Sequence, residues 1–314
     1  MNHSHIDTLN SFTVENLPDL DTVVLGALEL FASTELPTID ITRYKEPLVV
    51  GSGNAEATGR ILFEKTSAIF ASESNYKEKL ENIPSIDGVV LISASGGKHA
   101  PGIASYAKEL GKSVTLITNK DDSEASKVLN VNEGDLVYVL PKNREPYTYN
   151  TSTYLGMVLS VTREDPNRIK EFIKEHIDTI DFSKFSSYDK YYVIVPTKFS
   201  GVVRMIQVKF IELFGRNIAR DVETSEYVKH ATTVVPSQEL FLSFGYENTV
   251  WGEEGDRSNV PLPEWADYGA MIAIAYYVVG KIQKAHPPFF KENIEKYTKE
   301  ISEVFGEEIN WAVK

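Results

Sequence analysis

The 314 residues predict an α/β protein of two tandem three-layer αβα halves, each with a mostly parallel sheet covered by helices on both faces. Two observations lead there. Short runs that are apolar on both faces recur along the chain, separated by segments of helical periodicity. The same order of strand, loop and long helix then restarts near residue 190.

Residues 1–46 read as a helical leader, with TVVLGALELFAS bracketed by Pro18 and Pro37. The first half follows over 47–163. PLVVG (47–51) is a short buried strand, and AEATGRILFEKTSAIFA (55–71) reads as one helix with Ala57, Ile61 and Ala68 on one side. GVVLIS (88–93), a helix at 102–110, SVTLIT (113–118) and LVYVL (136–140) continue the alternation. The polar, helical segment 164–189 is the expected connector to a second half at 190–314. There YYVIVP (191–196) is a strand and TKFSGVVRMIQVKFIELFG (197–215) a helix. Aligning 49–51 with 193–195 sets Arg60 and Lys65 opposite Arg204 and Lys209, a constant offset of 144 residues. WGEEGDRSNVPLPEW (251–265) has the Gly, Pro and charge content of a surface or active-site loop. Two helices close the chain, at 265–284 and about 290–305.

Composition narrows the function. A formal charge of −13 and no basic patch interleaved with aromatics exclude a nucleic-acid surface. With no cysteine, disulfide scaffolds, thiolate metal sites and cysteine nucleophiles are ruled out, and a cytoplasmic setting is expected. MNHSHIDTLN has no apolar signal core, and the longest apolar run, AMIAIAYYVV, is about half a membrane span. No membrane contact, metal or cofactor is expected. His3 and His5 read as solvated histidines of a polar leader.

The chemistry concentrates in VVLISASGGKHAPGIASYAKELGKSVTLITN, residues 89–119. Ser93-Ala94-Ser95-Gly96-Gly97-Lys98 lies where a parallel strand ends and a helix begins, with Pro101 in its first turn. Free amides at a helix start, serine hydroxyls, glycines that admit close approach and one lysine describe a phosphate cradle, or else a plain Ser-Gly turn. The spacing is not that of a Walker loop, and Gly51-Ser52-Gly53 is not a dinucleotide fingerprint because its third glycine falls too late.

Ile92-Ser93-Ala94-Ser95-Gly96 resembles the Ser-x-Ser-Gly-x-Thr motif of the sugar isomerase (SIS) family. The loop at 51–54, the strand end Thr118-Asn119, and Tyr149-Asn150-Thr151-Ser152-Thr153, similar to the family's Ala-Ser-Thr stretch, follow in family order over about residues 45–245. The resemblance implies a double-SIS phosphosugar aldose–ketose isomerase. Its phosphate would be held by Ser93, Ser95, Thr151 and Ser152, with Ser52 and Lys98 as lesser contacts. Where the family carries threonine after the glycine, this chain has Lys98, His99 and Ala100, and His99 reads as a helix-capping or surface residue. The segment 223–231 (ETSEYVKHA) resembles the family's Glu-Leu-x-His-Gly, with Ala231 replacing the glycine. It implies Glu226 as the base of an enediol mechanism, assisted by His230 four residues on along a helix, with Glu223 as rival base. His286 would end its helix beside Pro287, or reach a neighbouring subunit. A homodimer is implied, as are two other readings of one cleft: a non-catalytic sugar-phosphate sensor, and a deglycase of amino-sugar or fructosamine phosphates.

Overall fold

The structure is a computed structural model that describes residues 4–232, 238–306 and 308–313, so His3 lies outside the described residues. It divides into two compact units. One comprises Thr34–Lys142 and Thr153–Arg163, the other Met1–Ser33, Asn143–Ser152 and Glu164–Lys314.

Helices α1 (His5–Ser11) and α2 (Leu20–Ser33) open the chain. Ser4 starts α1 with a capping box, its Oγ accepting from the Asp7 amide at 3.1 Å. Glu29 of α2 then ties α1 down, taking His5 at 2.7 Å and Lys170 at 2.8 Å, so His5 is a structural hydrogen-bond partner.

The unit around residues 34–142 holds β1 (Pro47–Val50), α3 (Asn54–Leu62), β2 (Ile69–Ala71), α4 (Tyr76–Asn82), β3 (Gly88–Ile92), α5 (Ala100–Glu109), β4 (Val114–Thr118), α6 (Glu124–Val128) and β5 (Leu136–Val139). Its five strands are parallel, in the order β2-β1-β3-β4-β5. Strands β1, β3 and β4 are buried at every position, because their apolar runs have no polar face to offer water. Small residues of α5, Ala104 and Ala107, let that helix lie close against Val89 and Leu91.

One expected element is corrected here. The single helix read over 55–71 ends at Leu62, and its second half is a turn and then β2. The Thr66 hydroxyl donates to the Phe63 carbonyl and accepts from the Ala68 amide, which turns the chain back to pair Ile69 with Leu48. Local helix-forming residues yield to a parallel sheet that needs an edge strand.

The other unit continues with β6 (Glu145–Pro146), the first two residues of α7 (Thr151–Thr162, the rest of which belongs to the first unit), α8 (Pro166–Phe172), β7 (Lys190–Val195), α9 (Val203–Phe214), β8 (Ala219–Thr224), α10 (Val228–Ala231), β9 (Leu240–Phe244), β10 (Arg257–Val260), α11 (Tyr268–Ala285), α12 (Phe289–Phe305) and β11 (Ala312–Val313). Strand β11 pairs antiparallel with β6, and a parallel sheet runs β10-β9-β7-β8. Read in reverse, that order repeats β2-β1-β3-β4, so the internal duplication is real at the level of topology. The lysine pairing that suggested it is coincidental, since Lys65 stands in a turn and Lys209 within α9.

Strand β10 arises inside the stretch read as a loop. Arg257 donates to the Trp251 and Gly252 carbonyls at 3.0 Å each, and Asn248 holds the neighbouring backbone, so the charges in that stretch brace it internally. Helix α11 buries fifteen of its eighteen residues, as a helix apolar all round must. Its N-terminus is held by the Glu164 carboxylate, which accepts from the Asp267, Gly269 and Ala270 amides at 2.7–3.0 Å. Helix α2 lies against it: the Leu20 amide donates to Gln283 at 2.9 Å, and Asp21 is paired with Lys284. Residues 4–33, part of the stretch 1–46 read as a leader, thus pack within this unit. No helix among the described residues is long and apolar enough to cross a membrane.

Candidate functional site

In an open parallel sheet, ligands gather at the carboxyl ends of two adjacent strands whose connections leave in opposite directions. In the first sheet those strands are β1 and β3, since β2 lies on one side of the pair and β4 on the other. The loops that follow them carry Ser52 and the serine corner.

Each loop is shaped by glycine. A Cβ on Gly51 would stand 2.7 Å from the backbone of Ala55 and Glu56, so only glycine lets α3 start this close to β1. Gly96 has φ +60°, and a Cβ there would lie 2.2 Å from the Ser123 Oγ. Lys98 also adopts a left-handed backbone, φ +52°. Left-handed residues in a tight loop fold it back on itself, bringing its amides within reach of its own side chains.

The two serines support that geometry. Ser93 Oγ accepts from the Gly96 amide at 3.2 Å and Ser95 Oγ from the Gly97 amide at 3.3 Å. Each hydroxyl spends a lone pair inward and keeps its proton to donate. Asn119 fixes the loop from the next strand, its amide donating to the Ala94 carbonyl at 3.0 Å. The result is a cavity of about 260 Å³ whose polar lining is Ser52, Ser93, Ser95, Lys98 and His99, with Tyr154 beside them. No acidic residue lines it. His99 occupies the residue before α5 without capping it by its side chain, and its ring is exposed at the cavity.

Four of the expected phosphate contacts, Ser52, Ser93, Ser95 and Lys98, are therefore brought together in one unit. Tyr154 and His99 join them; the sequence reading took His99 for a helix-capping or surface residue and gave Tyr154 no role. Tyr154 sits one helical turn beyond Thr151, which was the available signal for it.

Thr151 and Ser152 belong to the other unit, and their backbone is already used. Both residues are 1% exposed. Their amides donate to the two oxygens of Glu145 at 2.7 Å each, and the Ser152 Oγ accepts from the Asn143 amide at 3.0 Å. The helix start that the sequence offered to a ligand's anion holds one of the chain's own. Burial pushes the Glu145 carboxyl up, while these amides and Lys209 favour its ionised form.

Glu226 and His230 also lie in that unit, both exposed. The helix expected to carry them on one face is only Val228–Ala231, with Glu226 in the turn after β8 and Glu223 within the strand. The spacing of four is thus not a helical one here. His286 ends α11, its Nε2 2.9 Å from the Tyr191 hydroxyl, and burial pushes its pKa down. Among the described residues no group of three His, Asp or Glu side chains is arranged to hold a metal ion.

No protein-family model matches the sequence, and no curated protein does. Solved structures do match. The C-terminal domain of glucosamine-fructose-6-phosphate aminotransferase from Francisella tularensis superposes with a TM-score of 0.61 at 11% identity, covering 88% of this chain and 98% of that one. Tagatose-6-phosphate ketose/aldose isomerase from Escherichia coli gives 0.55 at 12% identity, covering 92% of each chain. Glucosamine-6-phosphate deaminase from Thermotoga maritima gives 0.53 at 16% identity, covering 85% and 92%. The fold is therefore the SIS fold: α/β, with parallel sheets flanked by helices.

Proposed function

We propose that this protein binds a phosphorylated sugar at the corner between β1 and β3 and interconverts its aldose and ketose forms. The observation that carries the reading is the cavity lining. Two serine hydroxyls with protons to donate and a lysine converge at the sheet's switch point, with no carboxylate to repel an anion. Ser93, Ser95 and Lys98 would hold the phosphate, and Ser52 would close the cradle from the β1 loop. Thr151 and Ser152 would serve at one remove, by keeping the start of α7 seated on Glu145.

The chemistry asks for one base. A carboxylate takes the proton from C2 of the open-chain aldose, and the electron pair moves through the new C1–C2 double bond onto O1. The hydroxyl proton passes from O2 to O1, and returning the abstracted proton to C1 gives the ketose. Glu226 is our candidate for the base and His230 for the group that assists ring opening. Both are exposed in this chain. The same reading expects a homodimer in which a site draws on the neighbouring copy.

A second reading is favoured by that exposure. A base open to water shares its site with solvent, which closed catalytic sites exclude. A sensor that binds sugar phosphate without turnover needs only the corner. Incubation with hexose 6-phosphates in deuterated water separates the two. Solvent deuterium entering C1 or C2 supports the isomerase, whereas binding without exchange supports the sensor. Stabilisation by unphosphorylated sugars equal to that by their phosphates would sink both.

A further inference from the structure

The serine corner holds one side chain that the sugar-phosphate reading leaves unused. His99 is the residue before α5, and its backbone is held in place. The Ile103 amide donates to the His99 carbonyl at 3.0 Å, and the Ala100 amide to the Gly97 carbonyl at 3.1 Å. Ala100 and Ile103, each 4% exposed, root this helix start in the core of the unit. The imidazole is therefore carried on a fixed stem. Yet it is exposed, does not cap the helix, and has no hydrogen-bond partner among the described residues. What it lines is the cavity of about 260 Å³ that it shares with Ser93 and Ser95.

Charge decides what the ring can do there. The β1 loop and the start of α3 present Ser52 and Ala55, which carry no charge, and α7 presents Tyr154. The titratable groups of the lining are thus Lys98, His99 and Tyr154. A phosphate monoester is mostly doubly charged at neutral pH. Lys98 brings one permanent positive charge, and the serines bring none. Lysine already holds its proton near neutrality and tyrosine keeps its own, so histidine is the side chain of this lining able to gain one.

On the sugar-phosphate reading above, we propose that His99 is a specificity-determining residue of the cradle. It takes up a proton as a phosphate monoester binds and donates a charge-assisted hydrogen bond to the doubly charged group. A second positive charge is matched to the second negative one, so phosphate esters are favoured over the singly charged sulfate esters of the same sugars. Because binding takes up a proton, raising the pH opposes it.

Calorimetric titration of the full chain with hexose 6-phosphates near neutral pH, in two buffers of different ionisation enthalpy, counts those protons. At about pH 7.5 the free ester is already doubly charged, so uptake belongs to the protein. The parent chain should take up a measurable fraction of a proton per ligand and lose affinity several-fold between about pH 7 and about pH 8.5. It should also bind the phosphate at least about tenfold tighter than the matching 6-sulfate. His99→Gln should abolish the uptake, flatten the pH dependence and narrow the preference for phosphate. Lys98→Gln is the control: it should weaken both esters while proton uptake persists. Phosphate binding without proton uptake, or uptake unchanged in His99→Gln, would overturn the assignment and leave the sugar-phosphate reading standing. No binding of any hexose 6-phosphate would remove that reading, and the role of His99 with it.

Discussion

Gly96 and Ser123 meet so closely that a Cβ on the glycine would stand 2.2 Å from the serine Oγ. Ser123 cannot easily withdraw, because its hydroxyl caps α6 by accepting from the Ser126 amide at 3.1 Å. Gly96→Ala therefore combines a steric conflict with a left-handed backbone. Gly111, at φ +70° with nothing within 4 Å of its missing Cβ, isolates the backbone component. In urea denaturation, Gly111→Ala should cost about 1–2 kcal/mol. Gly96→Ala should cost clearly more and also lose phosphosugar binding. Equal losses would show that Ser123 does not constrain the corner.

The serine hydroxyls should matter for the ligand and little for the fold. Ser95→Ala removes one donor at an exposed position, so stability should change by no more than about 0.5 kcal/mol. Affinity for a sugar phosphate should fall by about 1.5–3 kcal/mol, the range for a hydrogen bond to a charged group. Lys98→Gly relieves the positive φ while deleting a charge, so it should fold more stably and bind more weakly. Thermal shift with and without ligand reads both effects; unchanged affinity in both variants would remove the corner from the site.

Acid sensitivity should trace in part to Glu29. Burial alone would raise its carboxyl, but hydrogen bonds from His5, Lys170 and the Ile6 amide outweigh it and hold the pKa at about 2, against 4.5 unperturbed. A folded-state pKa below the unfolded one means the unfolded chain binds the proton first. The stabilisation is therefore complete above about pH 4.5 and lost as pH falls through about 2. Glu29→Gln should lower stability near neutrality and flatten its fall across that window. A parallel pH profile in the variant would refute the assignment.

Helix propensity and packing give opposite forecasts at Gly280. Alanine in a helix interior usually gains about 1 kcal/mol over glycine. Here its Cβ would lie 2.1 Å from the Asp21 amide nitrogen, where α2 crosses α11. Overpacking of this kind costs about 1–3 kcal/mol or more, so Gly280→Ala should unfold at lower denaturant. A stabilised variant would mean that the two helices separate easily.

The parallel strands and the corner were legible in the sequence because their signals are local: continuous apolar runs, Ser-Gly punctuation, a proline in a helix's first turn. Strand β2 was not, since 63–71 continues a helical pattern and becomes a strand only through pairing with β1. Strand β10 hid among glycines and charges whose hydrogen bonds are made within the loop. The seating of Thr151 and Ser152 on Glu145 depends on a return of the chain that no spacing encodes. The same is true of Thr148 beside Lys209, a buried contact made across 61 residues.

Glu145 gives the start of α7 a tethered counter-ion, one that no dilution can remove. Shortening it to alanine would convert a permanent internal partner into an exchangeable one, leaving two amides around a hole the size of a carboxylate. Millimolar formate should then raise the Tm of Glu145→Ala while leaving the parent chain unmoved. A protein that today needs no anion there would have acquired a dependence on its buffer.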